Sequence, residues 1–188
     1  RAAAAWPAAS SLPLPARAEQ ATPRTLASPR RHGAHTEVGT EWWYATGWLH
    51  EAGNTTPRYG FQVTFFRSRT GVAEGNPSRF AARQLLFAHA AVTDLSGRKL
   101  HHAERIARWS GVSDMPRAAA ATDTTRVHIG SWRFEREASG RYQAQVHDSA
   151  AGLAYRLTLS PTQPLLLQGN AGWSQKGPSE EHASHYYS

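Results

Sequence analysis

A carboxylate set among aromatic rings is the combination in this sequence best suited to chemistry. Glu41 is followed directly by Trp42, Trp43 and Tyr44, with Trp48 shortly after. An ionised carboxylate beside so many rings loses hydration, so its pKa should rise unless an Arg or His pairs with it. A carboxylic acid kept protonated in such a place can donate a proton. The plainer reading of the same stretch is an ordinary core strand with an exposed first residue.

Two histidine pairs have His-x-x-His spacing, His32 with His35 and His182 with His185. A metal site usually requires a third ligand, and neither segment reads as a helix that would stack the pair, so hydrogen bonding is the expected role and no metal is assigned. The Gly-punctuated stretch 167–177 contains Trp173, Ser174 and Lys176. It lacks the spacing of a nucleophile elbow and the Gly-Lys-Ser/Thr order of a phosphate loop. A Ser–Lys pair of Ser174 and Lys176 is set aside, on the expectation that the two face opposite ways, in favour of a bulged crossover.

The 188 residues suffice for one domain with a full core. There is no Cys, so disulfides, thiol nucleophiles and cysteine-bound zinc are excluded. The net charge of +7 invites nucleic acid, but 19 of the 21 basic residues are Arg and they are scattered, with Arg30-Arg31 the only adjacent pair. Nucleic acid is therefore not an expected partner. No apolar run is long enough to span a bilayer.

These side chains must be positioned by strands. Alternating apolar residues predict strands over 41–50, 58–67, 84–94, 99–107, 126–135, 141–148 and 153–160. In the first, Trp42, Tyr44, Thr46 and Trp48 point one way and Trp43, Ala45, Gly47 and Leu49 the other, so both faces are apolar. Residues 110–124 read as irregular, with one helical turn. Residues 1–30 are rich in Ala, Pro, Ser and Arg and read as a disordered lead; within them Ala16-Arg17-Ala18 resembles a secretory cleavage site, which points to export to the periplasm or beyond. The expected fold is all-β, an antiparallel meander closing into a lipocalin-like β-barrel over 31–188, with a β-sandwich as the alternative.

Five blocks in order then resemble one family: Thr40-Glu41-Trp42-Trp43-Tyr44-x-x-Gly47; Gly60-Phe61-Gln62-x-Thr64-Phe65-Phe66-Arg67; Ala88-His89-Ala90 with Thr93-Asp94; Leu167-Gln168-Gly169-x-x-Gly172-x-Ser174-x-Lys176-Gly177; and Ala183-Ser184-x-Tyr186-Tyr187-Ser188. The chain resembles the AttH-like secreted hydrolases, to which the carotenoid 1,2-hydratases (hydroxyneurosporene synthases) are related. The resemblance implies two consecutive lipocalin-like barrels, of which this chain is similar to the first, stopping short of the second. It departs from the family at Arg31-His32-Gly33, where an Asp more often precedes the His-Gly.

The implied chemistry is hydration of an isolated alkene in an isoprenoid or lipid, by protonation at carbon and capture of the cation by water. Glu41, His35, Asp94 and Lys176 are the catalytic candidates. Trp42, Trp43, Tyr44, Gln62, Phe66, His89, Gln168, Tyr186 and Tyr187 are the ligand-binding ones. That mechanism demands no cofactor. A non-catalytic carrier of an apolar ligand, or a hydrolase, are the other readings. The expected partners are an apolar small molecule, a membrane surface, and either a second barrel of the same chain or a second copy.

Overall fold

The computed structural model describes residues 32–112, 117–178 and 183–188. The expected disordered lead and cleavage site fall outside these residues, as does His182. Eleven strands are present among those described: β1 (Thr40–Leu49), β2 (Tyr59–Arg69), β3 (Gln84–Asp94), β4 (Lys99–Trp109), β5 (Ala118–Ala120), β6 (Arg126–Ile129), β7 (Trp132–Arg136), β8 (Tyr142–Asp148), β9 (Leu153–Leu159), β10 (Trp173–Gln175) and β11 (Ala183–His185). The fold is all-β and antiparallel. β1 to β4 form one meander and β5 to β9 a second, each in chain order, while β10 and β11 make a separate ribbon.

The two meanders share one core. Val63, Phe65, Leu86 and Ala88 from the first sheet meet Val127, Trp132, Phe134, Ala144, Val146 and Leu153 from the second. This is consistent with a lipocalin-like fold, but the ladders do not run on into one closed barrel, because the hydrogen-bonded order stops at β4 and restarts at β5. The local cause is the end of β4. Trp109 is buried there, its indole N–H donates to the Val112 carbonyl at 2.6 Å, and Gly111 takes a left-handed φ of 89° that turns the chain out of the sheet.

Two segments differ from the sequence reading. Residues 126–135 are a hairpin, β6 and β7, rather than one strand: Arg126 pairs with Glu135 and Ile129 with Trp132 around Gly130-Ser131. Gly130 sits at φ 59°, a conformation that costs a side-chain-bearing residue about 1–2 kcal/mol, and this turn tucks Trp132 into the core. In 110–124, where one helical turn was expected, Ala118–Ala120 forms β5, because these three small buried side chains let the strand pair with β6 inside the core.

The segment before β1 ties the sheets together. The Ala34 N–H donates to the Ala121 carbonyl at 2.7 Å, and Thr125 Oγ1 donates to the His32 carbonyl at 2.8 Å. Gly33 runs so close to the Thr122 backbone that a Cβ would overlap it. The glycine of the His-Gly pair is thus required by a backbone crossing.

Candidate functional site

The Glu41 carboxylate lies at the inner edge of the first sheet and is paired. Register sets Glu41 opposite Arg67 on β2, and Arg67 Nε donates to Glu41 Oε2 at 2.7 Å. The His35 backbone N–H donates to both Glu41 oxygens at 3.0 and 2.8 Å, and His35 Nδ1 stands 2.6 Å from Oε1. Arg67 is fully buried, and its remaining donors are also used: Nη1 to Gln84 Oε1 at 2.7 Å, Nη2 to the His35 and Val38 carbonyls at 2.9 Å each. Gln84 Nε2 donates onward to the Thr36 carbonyl at 3.1 Å. A buried guanidinium is tolerated only when its charge and donors are met, and this network meets them while fastening the 35–38 turn to β2 and β3. The sequence reading asked for an Arg or a His beside Glu41, and the structure places both there.

The other face of the same sheet is different in character. Strand alternation and register line up Trp42, Phe66, Phe87 and Ile106 in one row across β1 to β4. The next row is Tyr44, Thr64, His89 and Glu104, and the third begins Thr46, Gln62. Trp42, Tyr44, Trp48 and Ile106 are exposed, Trp48 by 70% and Ile106 by 63%. His89 meets the edge of Phe66 at 5.5 Å between centroids, and its Nε2 is 3.7 Å from Glu104 Oε2. Gln62 Nε2 donates to Thr64 Oγ1 at 3.3 Å, and Thr64 is only 6% exposed beneath its neighbours.

The β10–β11 ribbon approaches this face at Tyr44. The Tyr186 hydroxyl is hydrogen-bonded to that of Tyr44, and Lys176 Nζ lies 4.9 Å above the Tyr186 ring. The hydrogen bond to Tyr186, together with partial burial, pushes the Tyr44 phenol up to about 12. Tyr187 points away from this group, with its ring edge-on to His32 at 6.2 Å. Gln168 and Tyr187 act on the ribbon itself. The Gln168 N–H donates to the Tyr186 carbonyl at 3.0 Å, Gln168 Nε2 reaches Ser188 Oγ at 3.2 Å, and Leu167 bridges Tyr187. Ser174 pairs directly with Ser184 across the ribbon, so the two hydroxyls share a side. Lys176 reaches the Tyr186 ring, two residues beyond Ser184, which places it on that side too. The expectation that Ser174 and Lys176 face opposite ways is thereby corrected, since residues two apart along an extended strand face the same way.

The structure thus separates the sequence candidates into four places, the first being the ribbon with Gln168 and Tyr187. Trp42, Tyr44, Gln62, Phe66, His89, Lys176 and Tyr186 belong to the outer face and its rim. Glu41, His35 and Trp43 belong to the inner side, where Trp43 packs against the core. Asp94 is at the far end: Tyr59 is its register partner, eight residues along β2 from the partner of Glu41, or roughly 27 Å at strand rise. There Asp94 accepts the Gly97 N–H at 2.8 Å and pairs with Arg58, and these contacts, the Gly97 bond foremost, hold its carboxyl below the ordinary carboxylate range. The two histidines of His32-x-x-His35 also part, one towards Tyr142 and Tyr187 and the other towards Glu41. Sequence reasoning missed Arg67, Gln84 and Phe87 as parts of these groups. Phe87 was recoverable from its alternation with His89, whereas Arg67 is singled out only by the strand register.

A match to the family described as AttH-like extends over residues 19–188. The chain belongs to the AttH-like family. Among solved structures, it is similar to a crystal structure of a candidate AttH from Nitrosomonas europaea, with 40% sequence identity and a TM-score of 0.75. The similarity covers 90% of this chain and 48% of the Nitrosomonas one, so this AttH-like chain spans about half the length of that protein. No match is found among curated proteins.

Proposed function

We propose that this AttH-like chain binds an apolar ligand of the isoprenoid or lipid class against the outer face of β1–β4. The observation that carries the reading is the register-aligned row Trp42–Phe66–Phe87–Ile106, exposed at Trp42 and Ile106, half-buried at Phe66 and Phe87, and bordered by the polar groups of Tyr44, Gln62 and His89. The inner face is already occupied by large side chains, among them Trp109, Trp132 and Phe65, which are buried in the shared core. Burying an aromatic ring against a ligand is worth about 1.5–3 kcal/mol, so three or four such contacts suffice for binding without a closed cavity.

The division of groups favours binding over a self-contained hydratase. Glu41 is held as an acceptor by Arg67 and His35, and Asp94 is spent on a turn at the other end of the sheet. If the domain takes part in carotenoid-type hydration or in hydrolysis, it does so as the ligand-orienting half, with the proton donor supplied from elsewhere.

Retinol provides the test, since its polyene quenches nearby Trp fluorescence. Saturable quenching that changes little with salt is expected, and Trp42→Ala with Phe66→Ala should weaken it about tenfold or more. Quenching that the double substitution leaves unchanged, or that collapses as salt rises, would remove the outer face as the site.

A further inference from the structure

The rim of the aromatic face has a chemistry of its own. Lys176 is one of two lysines in a chain with 19 arginines, so a compact ammonium stands here where this sequence elsewhere uses a guanidinium. Its Nζ stands 4.9 Å from the centre of the Tyr186 ring, and the residue is exposed. A cation over a ring at the surface is held only weakly, which leaves the charge largely available to an anion. Tyr186 and Tyr44 join hydroxyl to hydroxyl. Two phenols hold two protons but share one hydrogen bond, so one O–H remains free to donate outward. Tyr44, pushed up to about 12, keeps its proton throughout the neutral range. An ammonium and a free phenolic O–H therefore converge at the β1 edge of the sheet, and the aromatic row starts one position away at Trp42.

We propose that Lys176, Tyr186 and Tyr44 form a carboxylate-binding head site, so that the preferred ligand is an apolar carboxylic acid with its tail laid over Trp42, Phe66 and Phe87. The inference rests on the binding reading above and narrows it. A neutral hydrocarbon would use only the rings, whereas an acid would add a charge-assisted pair with Lys176 and a hydrogen bond from the phenol pair. The row runs across three strand spacings, roughly 14 Å, which gives an extended tail a continuous apolar path from the head site to Ile106. The direction of the tail is fixed by the geometry, because the ribbon that supplies Lys176 and Tyr186 meets the sheet at β1.

Retinoic acid and retinol share a polyene and differ at the head group, so the pair isolates this site. Both are titrated into the whole 188-residue chain at pH 7.5 by Trp quenching, with Lys176→Met, Lys176→Arg and Tyr186→Phe alongside. Retinoic acid should bind about tenfold or more tighter than retinol. Lys176→Met should bring the two within about twofold without weakening retinol, Lys176→Arg should keep most of the preference, and Tyr186→Phe should lose part of it. Retinol bound as tightly as retinoic acid would overturn the head site and leave apolar binding standing, as would a preference that survives Lys176→Met. If neither ligand binds, the head site and the binding function fall together. Lys176 is exposed and outside the core, so a circular dichroism spectrum matching that of the unsubstituted chain is expected for its variants and is checked before titration.

Discussion

Arg67 is the side chain on which the inner edge of the first sheet depends. It is fully buried, and every donor group it has is used: by Glu41, by Gln84, and by the carbonyls of His35 and Val38. Removing one partner of a buried charge pair leaves the other uncompensated and costs about 3–5 kcal/mol. Arg67→Met should therefore lower stability by that amount in urea unfolding, while retinol affinity, which depends on the opposite face, should hold in the folded fraction. A loss under about 1 kcal/mol would mean that water reaches the site. The sequence made it plain that Glu41 needed an Arg or a His, but not which one, since 19 arginines were available and only strand register selects Arg67. A second residue-scale expectation concerns pH. Because the Tyr44 phenol is raised in the folded chain, its contribution to stability is whole below the ordinary tyrosine pKa near 10 and is lost as pH climbs through about 12. Absorbance titration of tyrosinate should show two late-ionising phenols, because burial also raises Tyr155, and Tyr186→Phe should bring one of them earlier. Two late steps left unchanged in that variant would show that Tyr186 does not raise Tyr44.

β1 shows how much a strand's alternation can reveal and where it stops. The sequence predicts two apolar faces, and the burial alternates as that pattern requires, with Trp43 and Ala45 inward and Trp42, Tyr44 and Trp48 outward. What alternation cannot give is which face meets the second sheet, because both are aromatic. β6 and β7 were read as one strand for a related reason: strand-forming residues continue on both sides of Gly130, and only its left-handed φ makes the turn. That turn is what buries Trp132 completely, whereas Trp48 is 70% exposed. The same residue type should then behave oppositely in the two elements. Trp132→Ala is expected to cost about 3–5 kcal/mol through lost transfer energy and a cavity. Trp48→Ser should stay within about 0.5 kcal/mol of the parent. Urea midpoints of the two variants decide it, and equal losses would mean that Trp48 is covered in solution.

At the scale of the whole molecule, the outer face of β1–β4 carries exposed rings at both ends with polar rows between them. Trp42, Tyr44, Trp48 and Ile106 are exposed on one side of four adjacent strands, and large apolar side chains grouped on one face mark it as a place where something binds. The AttH-like chain spans about half the length of its Nitrosomonas neighbour, and a longer protein would have further chain with which to cover such a face. For the 188 residues taken alone, we propose a second copy, laid face to face, as the cover. Apolar burial of this kind gains affinity from area and is insensitive to salt, in contrast to association through the scattered arginines. Sedimentation velocity should therefore show a weight-average mass that rises with protein concentration and is unchanged between low and high salt. Ile106→Ser with Trp48→Ser should shift the chain towards monomer. Ligand and second copy would compete for the same rings, so saturating retinol should do the same to the unsubstituted chain. A chain that stays monomeric at every concentration would show the rings to be adequately solvated, and association that retinol leaves untouched would place the contact elsewhere on the molecule.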